Sequence, residues 1–338
     1  MINDCPQLMM FTSGQSETPR LKCIETILGK YSLECGLNFD GRINKYQTTF
    51  PTSSNPTISK GMPCSFHNLI EINIEERDIE TIIPSHALLH LEKLEQIDTK
   101  LCFQVKEVFE VALEGTNNGC NESQTIVKIP NLTQVNLDGV YDLKYLWKST
   151  QWMVLEFPKL TSVFIEDCYS LKHVFTCSMV GNVVQLQDLH IVTCDNIEVI
   201  VKEEEECDAK ENEIILPRLK SLKLEHLPVL RGFCLGKEAF SLPVLDTLEI
   251  SDCPALTDFT KGHLSTHELK VIDTSFGMCY VNTDLNSLIK TKHEEVGYVI
   301  MKYSSILKRK LDESWGMSYR MVKIICFISK VYKDIHTK

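Results

Sequence analysis

The sequence has no segment that could cross a membrane, since it contains no run of about 18 apolar residues. Residues 1–6 lack the basic and apolar regions of a secretory signal peptide. Positive charge is scarce, and the formal net charge of −11 argues against a nucleic-acid-binding protein, which needs a basic face to meet phosphate. These absences predict a cytoplasmic or nuclear protein with reduced thiols.

The motifs of several common chemistries are also missing. The chain has no G-x-x-x-x-G-K-[ST] loop to surround a phosphate, no G-x-S-x-G nucleophile elbow and no H-E-x-x-H metal motif. Its 14 cysteines include no C-x-x-C pair, which disfavours a zinc site, and the predicted compartment disfavours a disulfide framework. We therefore expect a protein that is not an enzyme, has no cofactor and binds neither ATP nor ADP.

Two histidine pairs have the spacing of one helical turn, namely His86 with His90 and His263 with His267. Such pairs can share one face of a helix and bind zinc. Neither pair has a third ligand at a characteristic distance, so we expect no metal site.

A repeated pattern occupies residues 129–175. It reads I-P-x-L-x-x-V-x-L-x-x-V-x-x-L from position 129, and 28 positions later F-P-x-L-x-x-V-x-I-x-x-C-x-x-L from position 157. The pattern L-x-x-L-x-L-x-x-N/C-x-L with a period of roughly 20–29 residues is typical of leucine-rich repeats. The sequence therefore predicts an α/β leucine-rich-repeat solenoid, or horseshoe, in which each repeat buries its core against its neighbours.

Each repeat is predicted to contribute one short parallel strand to the concave face, with two inward apolar residues two positions apart. Between strands the apolar residues recur every third position, which is typical of irregular segments, 3₁₀ turns and short helices on the convex side. The predicted strand centres are Ile72, Ile97, Val135, Val163, Leu189, Leu222, Leu248 and Ile272. Four cysteines fall at one repeat position, where a small side chain is expected to pack: Cys102, Cys168, Cys194 and Cys253.

The beginning of the chain is repeated near its end. Residues 2–29 align without a gap to residues 250–277, and 14 of the 28 aligned positions are identical. The same unit thus closes two successive arrays, and the strand that should precede Asp4 is missing. We interpret the sequence as part of a longer ancestral chain, from either a truncated paralogue or an incomplete gene model.

These observations divide the chain into four parts. Residues 1–29 are predicted to end a first array, and residues 30–64 to form a linker. Residues 65–280 are predicted to form an array of about eight repeats, with solvated insertions at 114–125 and 203–213. Residues 281–338 are expected to form a basic, partly helical tail.

The tail carries apolar residues at the spacing of one helix face: Ile300, Tyr303, Leu307 and Leu311. A helical cap on the last repeat would explain this spacing. A basic segment for a membrane surface or a partner is the alternative.

The residues that alternate with the inward pairs are expected on the exposed concave face, which repeat solenoids use for binding. Over seven repeats they include eight acidic residues and two lysines, which either attract a basic partner or only keep the face soluble. Phe164 and Val192 are its apolar members, and an aromatic side chain within a polar surface is typical of an interface anchor. The predicted partner-binding residues are Asp138, Phe164, Glu166, Asp188, His190, Val192, Lys223, Glu225 and Glu249.

The repeat at residues 158–175, P-K-L-x-x-V-x-I-x-D-C-x-x-L-x-x-V-F, resembles those of plant disease-resistance proteins of the coiled-coil nucleotide-binding leucine-rich-repeat class (NB-LRR). Residues 11–22 resemble the array-closing unit of the same group. The resemblance covers about residues 1–280 and implies the sensing and autoinhibitory region of an intracellular immune receptor. The implied partner is a pathogen effector, a guarded host protein or the receptor's own nucleotide-binding domain. The nucleotide-binding domain and the coiled coil find no counterpart here, so their activities are not transferred.

Two other functions stay open. The repeats could serve a substrate adaptor for ubiquitin ligation, although no F-box-like helical segment precedes the array. The chain could also be a receptor fragment without an independent function, which the truncated start supports.

Overall fold

The computed structural model describes residues 23–26, 29–32, 69–111, 125–148, 153–204, 213–275, 277–282 and 284–291. These residues form a solenoid of parallel strands with about seven turns and few helices. In chain order the strands are β1 (Cys23–Thr26), β2 (Gly29–Ser32), β3 (Leu69–Glu75), β4 (Thr81–Ile83), β5 (Gln96–Lys100), β6 (Glu107–Phe109), β7 (Thr125–Lys128), β8 (Gln134–Asp138), β9 (Tyr145–Trp147), β10 (Met153–Glu156), β11 (Ser162–Glu166), β12 (Phe175–Thr176), β13 (Asp188–Val192), β14 (Val199–Lys202), β15 (Ile214–Ile215), β16 (Ser221–Glu225), β17 (Gly232–Cys234), β18 (Phe240–Ser241), β19 (Thr247–Ser251), β20 (Leu264–Ser265), β21 (Val271–Thr274) and β22 (Gly277–Tyr280). The predicted leucine-rich-repeat solenoid is confirmed.

The concave side is one sheet of eleven strands in the order β1-β2-β3-β5-β8-β11-β13-β16-β19-β21-β22. From β3 to β21 the neighbouring strands are parallel, because each belongs to the same position of successive repeats. All eight predicted strand centres are buried, and each lies directly opposite the next along the sheet. Val163, for example, pairs with Val135 on one side and Leu189 on the other. The hydrophobic alternation therefore sets the register, since a shift of one residue would expose every inward side chain.

Each strand of the array is followed by a turn that redirects the chain into the core. From β3 to β19 the residue after the strand has a positive φ, and apart from Gly139 these residues carry a side chain: Glu76, Leu101, Asp167, Thr193, His226 and Asp252. A left-handed residue with a Cβ costs about 1–2 kcal/mol. The backbone N–H in this turn is paired with the next repeat, as where Asp167 donates to the carbonyl of Val192 at 3.2 Å.

The residue directly after the positive-φ residue is the repeated cysteine position. The Cys102 thiol donates to the carbonyl of Ile74 in the preceding repeat at 3.6 Å, and Cys253 does the same to Leu224 at 3.6 Å. Burial raises the pKa of the Cys253 thiol to about 12. A protonated thiol in this position fills space and satisfies a carbonyl, which is the packing role that the sequence predicts.

The convex side is built from short segments. Four small parallel sheets lie there, in the orders β4-β6-β9, β7-β10, β12-β14-β17 and β15-β18-β20. A 3₁₀ helix spans Ser85–His90, helix α1 spans Cys177–Val180, and residues 285–291 are helical. The predicted 3₁₀ turns and short helices are therefore present, together with short strands that the pattern did not predict. No described helix has the length and apolar character needed to span a membrane.

The duplicated unit forms the same hairpin at both ends of the concave sheet. The alignment offset of 248 (residue 2 to residue 250) maps β1 and β2 onto β21 and β22 without any shift in their bounds. Both hairpins are antiparallel, and their four residue pairs correspond one to one. At the first end β2 also pairs antiparallel with β3, so the hairpin is hydrogen-bonded to the array that follows it.

The four predicted parts of the chain are described unevenly. Strands β3 to β22 fall within the predicted array at 65–280, and helical residues 285–291 begin the predicted tail. There Leu285 and Ile289 are buried, and the Asn286 side chain accepts the backbone N–H of Phe259 at 2.8 Å. The tail residues 300–311, most of both insertions, and most of 1–29 and 30–64 lie outside the described residues. The boundaries of these parts therefore stay predictions.

Candidate functional site

The outward residues of the concave sheet form straight rows across the repeats. Because the parallel pairing is in register, the central outward residue of one strand lies beside that of the next. The central row reads Asn73, Asp98, Asn136, Phe164, His190, Lys223, Glu249 and Asp273. All nine residues predicted to bind a partner lie on this face, in β8, β11, β13, β16 and β19.

The first part of the row is a network of amides and carboxylates. The Asn136 amide donates to one oxygen of Asp98, and the Gln96 amide donates to the other at 2.6 Å. The Gln134 amide then donates to the Asn136 side-chain oxygen at 3.0 Å. These groups satisfy one another, so they have less to gain from a partner than unpaired groups would have.

The middle of the row contains an aromatic pair. The rings of Phe164 and His190 meet edge to face, with centroids 4.8 Å apart and planes at 75°. His190 Nε2 lies 3.1 Å from the Ser221 hydroxyl. Burial lowers the pKa of His190, and the Lys223 charge acts in the same direction while Asp188 and Glu249 oppose it. The ring is therefore neutral near pH 7, and it extends the apolar surface of Phe164.

Phe164 is less exposed than the sequence suggested. Its side chain is half-buried, and the imidazole of the neighbouring repeat packs against its ring. Val192, at the end of the neighbouring strand, is also half-buried. The apolar part of the face is thus a shallow patch formed by Phe164, His190 and Val192, which we call the aromatic patch.

The last part of the row is organised around one ammonium group. Lys223 Nζ lies 2.8 Å from Glu225 and 3.6 Å from Glu249. The hydrogen bond to Glu225 raises the pKa of Lys223 and lowers that of the Glu225 carboxyl. Around this position one ammonium group faces two carboxylates, so part of the negative charge is neutralised.

Other carboxylates beside the aromatic patch are not paired with a cation. Within the described ranges Asp138, Glu166 and Asp188 form no ion pair, and Asp188 accepts a hydrogen bond from the Ser162 hydroxyl at 3.2 Å. Three carboxylates without a pairing cation among the described residues therefore lie near Phe164, where they can act on an approaching basic surface.

Among the described residues neither histidine pair belongs to a group of three or more candidate metal ligands. His86 and His90 lie on the 3₁₀ helix, whereas His263 and His267 flank strand β20 and so do not share a helix face. The described residues instead bring together Cys177, Cys234 and Glu238 on the convex side. Sequence spacing missed this group because its members come from different repeats.

A comparison with protein families matches residues 55–195 to the family described as plant disease resistance protein RPS2-like, leucine-rich repeats. Neither the search of curated proteins nor the search of solved structures returned a match. The matched residues contain the parallel strands β3, β5, β8, β11 and β13, which include the aromatic patch. Residues 55–195 are thus similar to the leucine-rich repeats of RPS2-like plant disease-resistance proteins.

Proposed function

We propose that the array is the protein-interaction module of an intracellular plant immune receptor, with the sensing and autoinhibitory role of such a region. Repeats of this family and fold are typically binding modules without catalytic activity. The proposed location is the cytoplasm, with the nucleus as the alternative. The proposed partner is a pathogen effector, a guarded host protein or the receptor's nucleotide-binding domain.

The observation that supports this proposal most directly is the aromatic patch. Phe164 and His190 are in contact, Val192 lies on the same face two residues after His190, and all three are half-buried. A patch of this kind can be desolvated completely by a partner, and the surrounding polar residues exclude water from it. Burying a phenyl side chain removes apolar surface worth roughly 1.5–3 kcal/mol from water.

The charge around the patch specifies the kind of partner. Asp138, Glu166 and Asp188 are not engaged in ion pairs among the described residues, so a basic protein surface would find carboxylates free to meet it. Such complementarity increases the association rate and selects against acidic partners. We therefore expect the partner to present an apolar side chain within a ring of lysine or arginine residues.

The test is affinity capture from plant extract with three forms of the full chain: the parent, Phe164→Ala and Ile215→Ala. Ile215 is an exposed apolar residue on the convex side and serves as the matched control. A partner of the concave face should be captured by the parent and the control and lost with Phe164→Ala. A partner captured equally by all three would show that binding does not use the aromatic patch. Absence of any specific partner would favour a fragment without independent function.

A further inference from the structure

Three consecutive repeats place two thiols and two carboxylates together on the convex side. Cys177 follows β12, Glu203 follows β14, and Cys234 ends β17, and these strands are adjacent in the order β12-β14-β17. The ligand atoms of Cys177, Cys234 and Glu238 all lie within 4.8 Å of one another. Both cysteine side chains are buried, so this is an internal cluster that opens to solvent on its carboxylate side.

The carboxylate of Glu203 lies near that of Glu238, beside Gly236. A Cβ atom placed on Gly236 would lie 3.0 Å from the carboxyl carbon of Glu238 and 3.1 Å from that of Glu203. It would also lie 2.0 Å from a Glu238 oxygen, which real Cβ atoms do not tolerate. The missing side chain at Gly236 therefore makes the space into which both carboxylates converge.

No cation balances these carboxylates in the part of the chain that is described. No lysine or arginine nitrogen of those residues lies within ion-pair distance of Glu203 or Glu238. The carboxylate of the neighbouring Glu204 is hydrogen-bonded instead. It accepts the backbone N–H and the hydroxyl of Ser178, each at 3.0 Å. Two carboxylates drawn together without a counter-charge repel each other, and a bound cation would reverse that repulsion.

The thiols indicate what kind of cation fits. Thiolate ligands select soft or borderline metals such as zinc, whereas magnesium and calcium prefer oxygen alone. The Cys234 thiol already points at a Glu238 carboxylate oxygen, to which it donates at 3.9 Å.

We propose that Cys177, Cys234, Glu238 and Glu203 form a zinc-binding site that joins three successive repeats on the convex side. With Zn–S near 2.3 Å and Zn–O near 2.0–2.2 Å, the ligand atoms of a tetrahedral site lie roughly 3.3–3.8 Å apart. The ligand atoms of Cys177, Cys234 and Glu238 lie within 4.8 Å of one another and need only a small adjustment to reach that geometry. The exposed Glu203 carboxylate lies outside this group of three and has to turn toward it to become the fourth ligand. Binding releases the two thiol protons to solvent, so affinity rises with pH.

The site would stabilise the structure rather than catalyse a reaction. It lies beside Glu203 and Glu204, where the chain leaves the array for the acidic insertion that the sequence places at 203–213. A metal ion there would link Glu203, where the insertion begins, to Cys177 in the repeat before and to Cys234 and Glu238 in the repeat after.

The experiment uses the purified full chain, kept reduced with a phosphine that does not bind metal tightly. Metal content is measured after dialysis against Zn²⁺, and Co²⁺ is added as a spectroscopic probe. We expect one Zn²⁺ per chain, a near-ultraviolet thiolate-to-cobalt absorption, and a melting temperature that rises with Zn²⁺ and falls again with a chelator. Cys177→Ser and Cys234→Ser should each remove the absorption and reduce zinc affinity at least 100-fold.

The matched control is Cys194→Ser. Cys194 is also a buried cysteine, and its thiol donates to the backbone carbonyl of Val192 at 3.3 Å. This variant should keep the cobalt absorption. Glu238→Gln, which leaves both thiols in place, should weaken zinc binding about tenfold or more without lowering the melting temperature in the absence of metal.

Three results would overturn the proposal. The first is a parent chain without thiolate-to-cobalt absorption. The second is an absorption that persists in both Cys177→Ser and Cys234→Ser, which would place the metal elsewhere. The third is a reduced parent whose melting temperature ignores Zn²⁺ while oxidation links Cys177 to Cys234, which would make the pair a redox dithiol instead.

Discussion

The inward and outward residues of the concave strands are neighbours in sequence, yet they obey different constraints. Along the central strands the inward row is aliphatic throughout, because each residue packs against its counterparts in the repeats before and after. The outward row changes chemistry at almost every step, from amide to phenyl, imidazole and ammonium. Stacking therefore restricts one row to a single kind of side chain, and leaves the other free to specify a partner.

The largest effect should come from placing the same charge in each row. Val163→Asp puts a carboxylate at a position with no exposed surface, where no cation can reach it. It should lower the free energy of unfolding by about 3–5 kcal/mol, the typical cost of an unpaired buried charge. Phe164→Asp, one residue later in the same strand, should lower it by clearly less, because this side chain is only half-buried and a carboxylate there keeps contact with water. Urea denaturation of both variants measures the difference, and equal losses would mean that both rows are core.

The next effect concerns binding alone. Phe164→Ala should weaken a partner of the concave face about tenfold or more, mainly through faster dissociation, because the buried contact is lost after the complex has formed. Its melting temperature should stay close to that of the parent, since the inward row is untouched. Surface plasmon resonance gives both rate constants. An unfolded variant would instead assign Phe164 to the core.

Charge reversal at the edge of the aromatic patch should affect association. Glu166→Lys combined with Glu249→Lys removes negative charge from both sides of the patch, so association with a basic partner should slow and its salt dependence should flatten. Stability should change little, since the Lys223–Glu249 pair is solvent-exposed and Glu225 still pairs with Lys223. Association rate constants measured at low and high salt test this. If their dependence on salt concentration is the same in the variant and the parent, electrostatic attraction to this face is excluded.

The smallest effect is a pH dependence that arises from His190. Burial lowers its pKa in the folded chain below the ordinary 6.5, so below that pH the unfolded chain binds more protons. The His190 contribution to stability is therefore present above pH 6.5 and lost as the pH falls toward the folded-state value. His190→Gln should make the decline of the melting temperature in acid less steep. Identical slopes for variant and parent would show that His190 is not responsible.

Strict alternation made the two rows of the concave face predictable from sequence. The strand centres and the nine outward residues could be assigned because one repeat sets the register of the next. The half-burial of Phe164 could not be predicted in this way. The Phe164 ring packs against an imidazole 26 positions away (residue 164 to residue 190), and the repeat consensus does not specify the residue at that position.

The convex side was less predictable. Its repeats differ in length, so no fixed spacing relates one convex segment to another. Cys177 and Cys234 are 57 positions apart (residue 177 to residue 234), far beyond the short spacings by which metal sites are recognised. In a solenoid, candidate ligands have to be sought at intervals of whole repeats instead.

The paired hairpins have a consequence for how such a chain can grow. In the array each strand pairs in parallel with the equivalent strand of the next repeat. Strands β2 and β22 pair antiparallel with their neighbours, so they interrupt this repeated parallel pairing. Each hairpin therefore ends a run of parallel strands. Where the duplicated unit separates two arrays, as the sequence predicts, either array can gain or lose repeats without changing the concave face of the other.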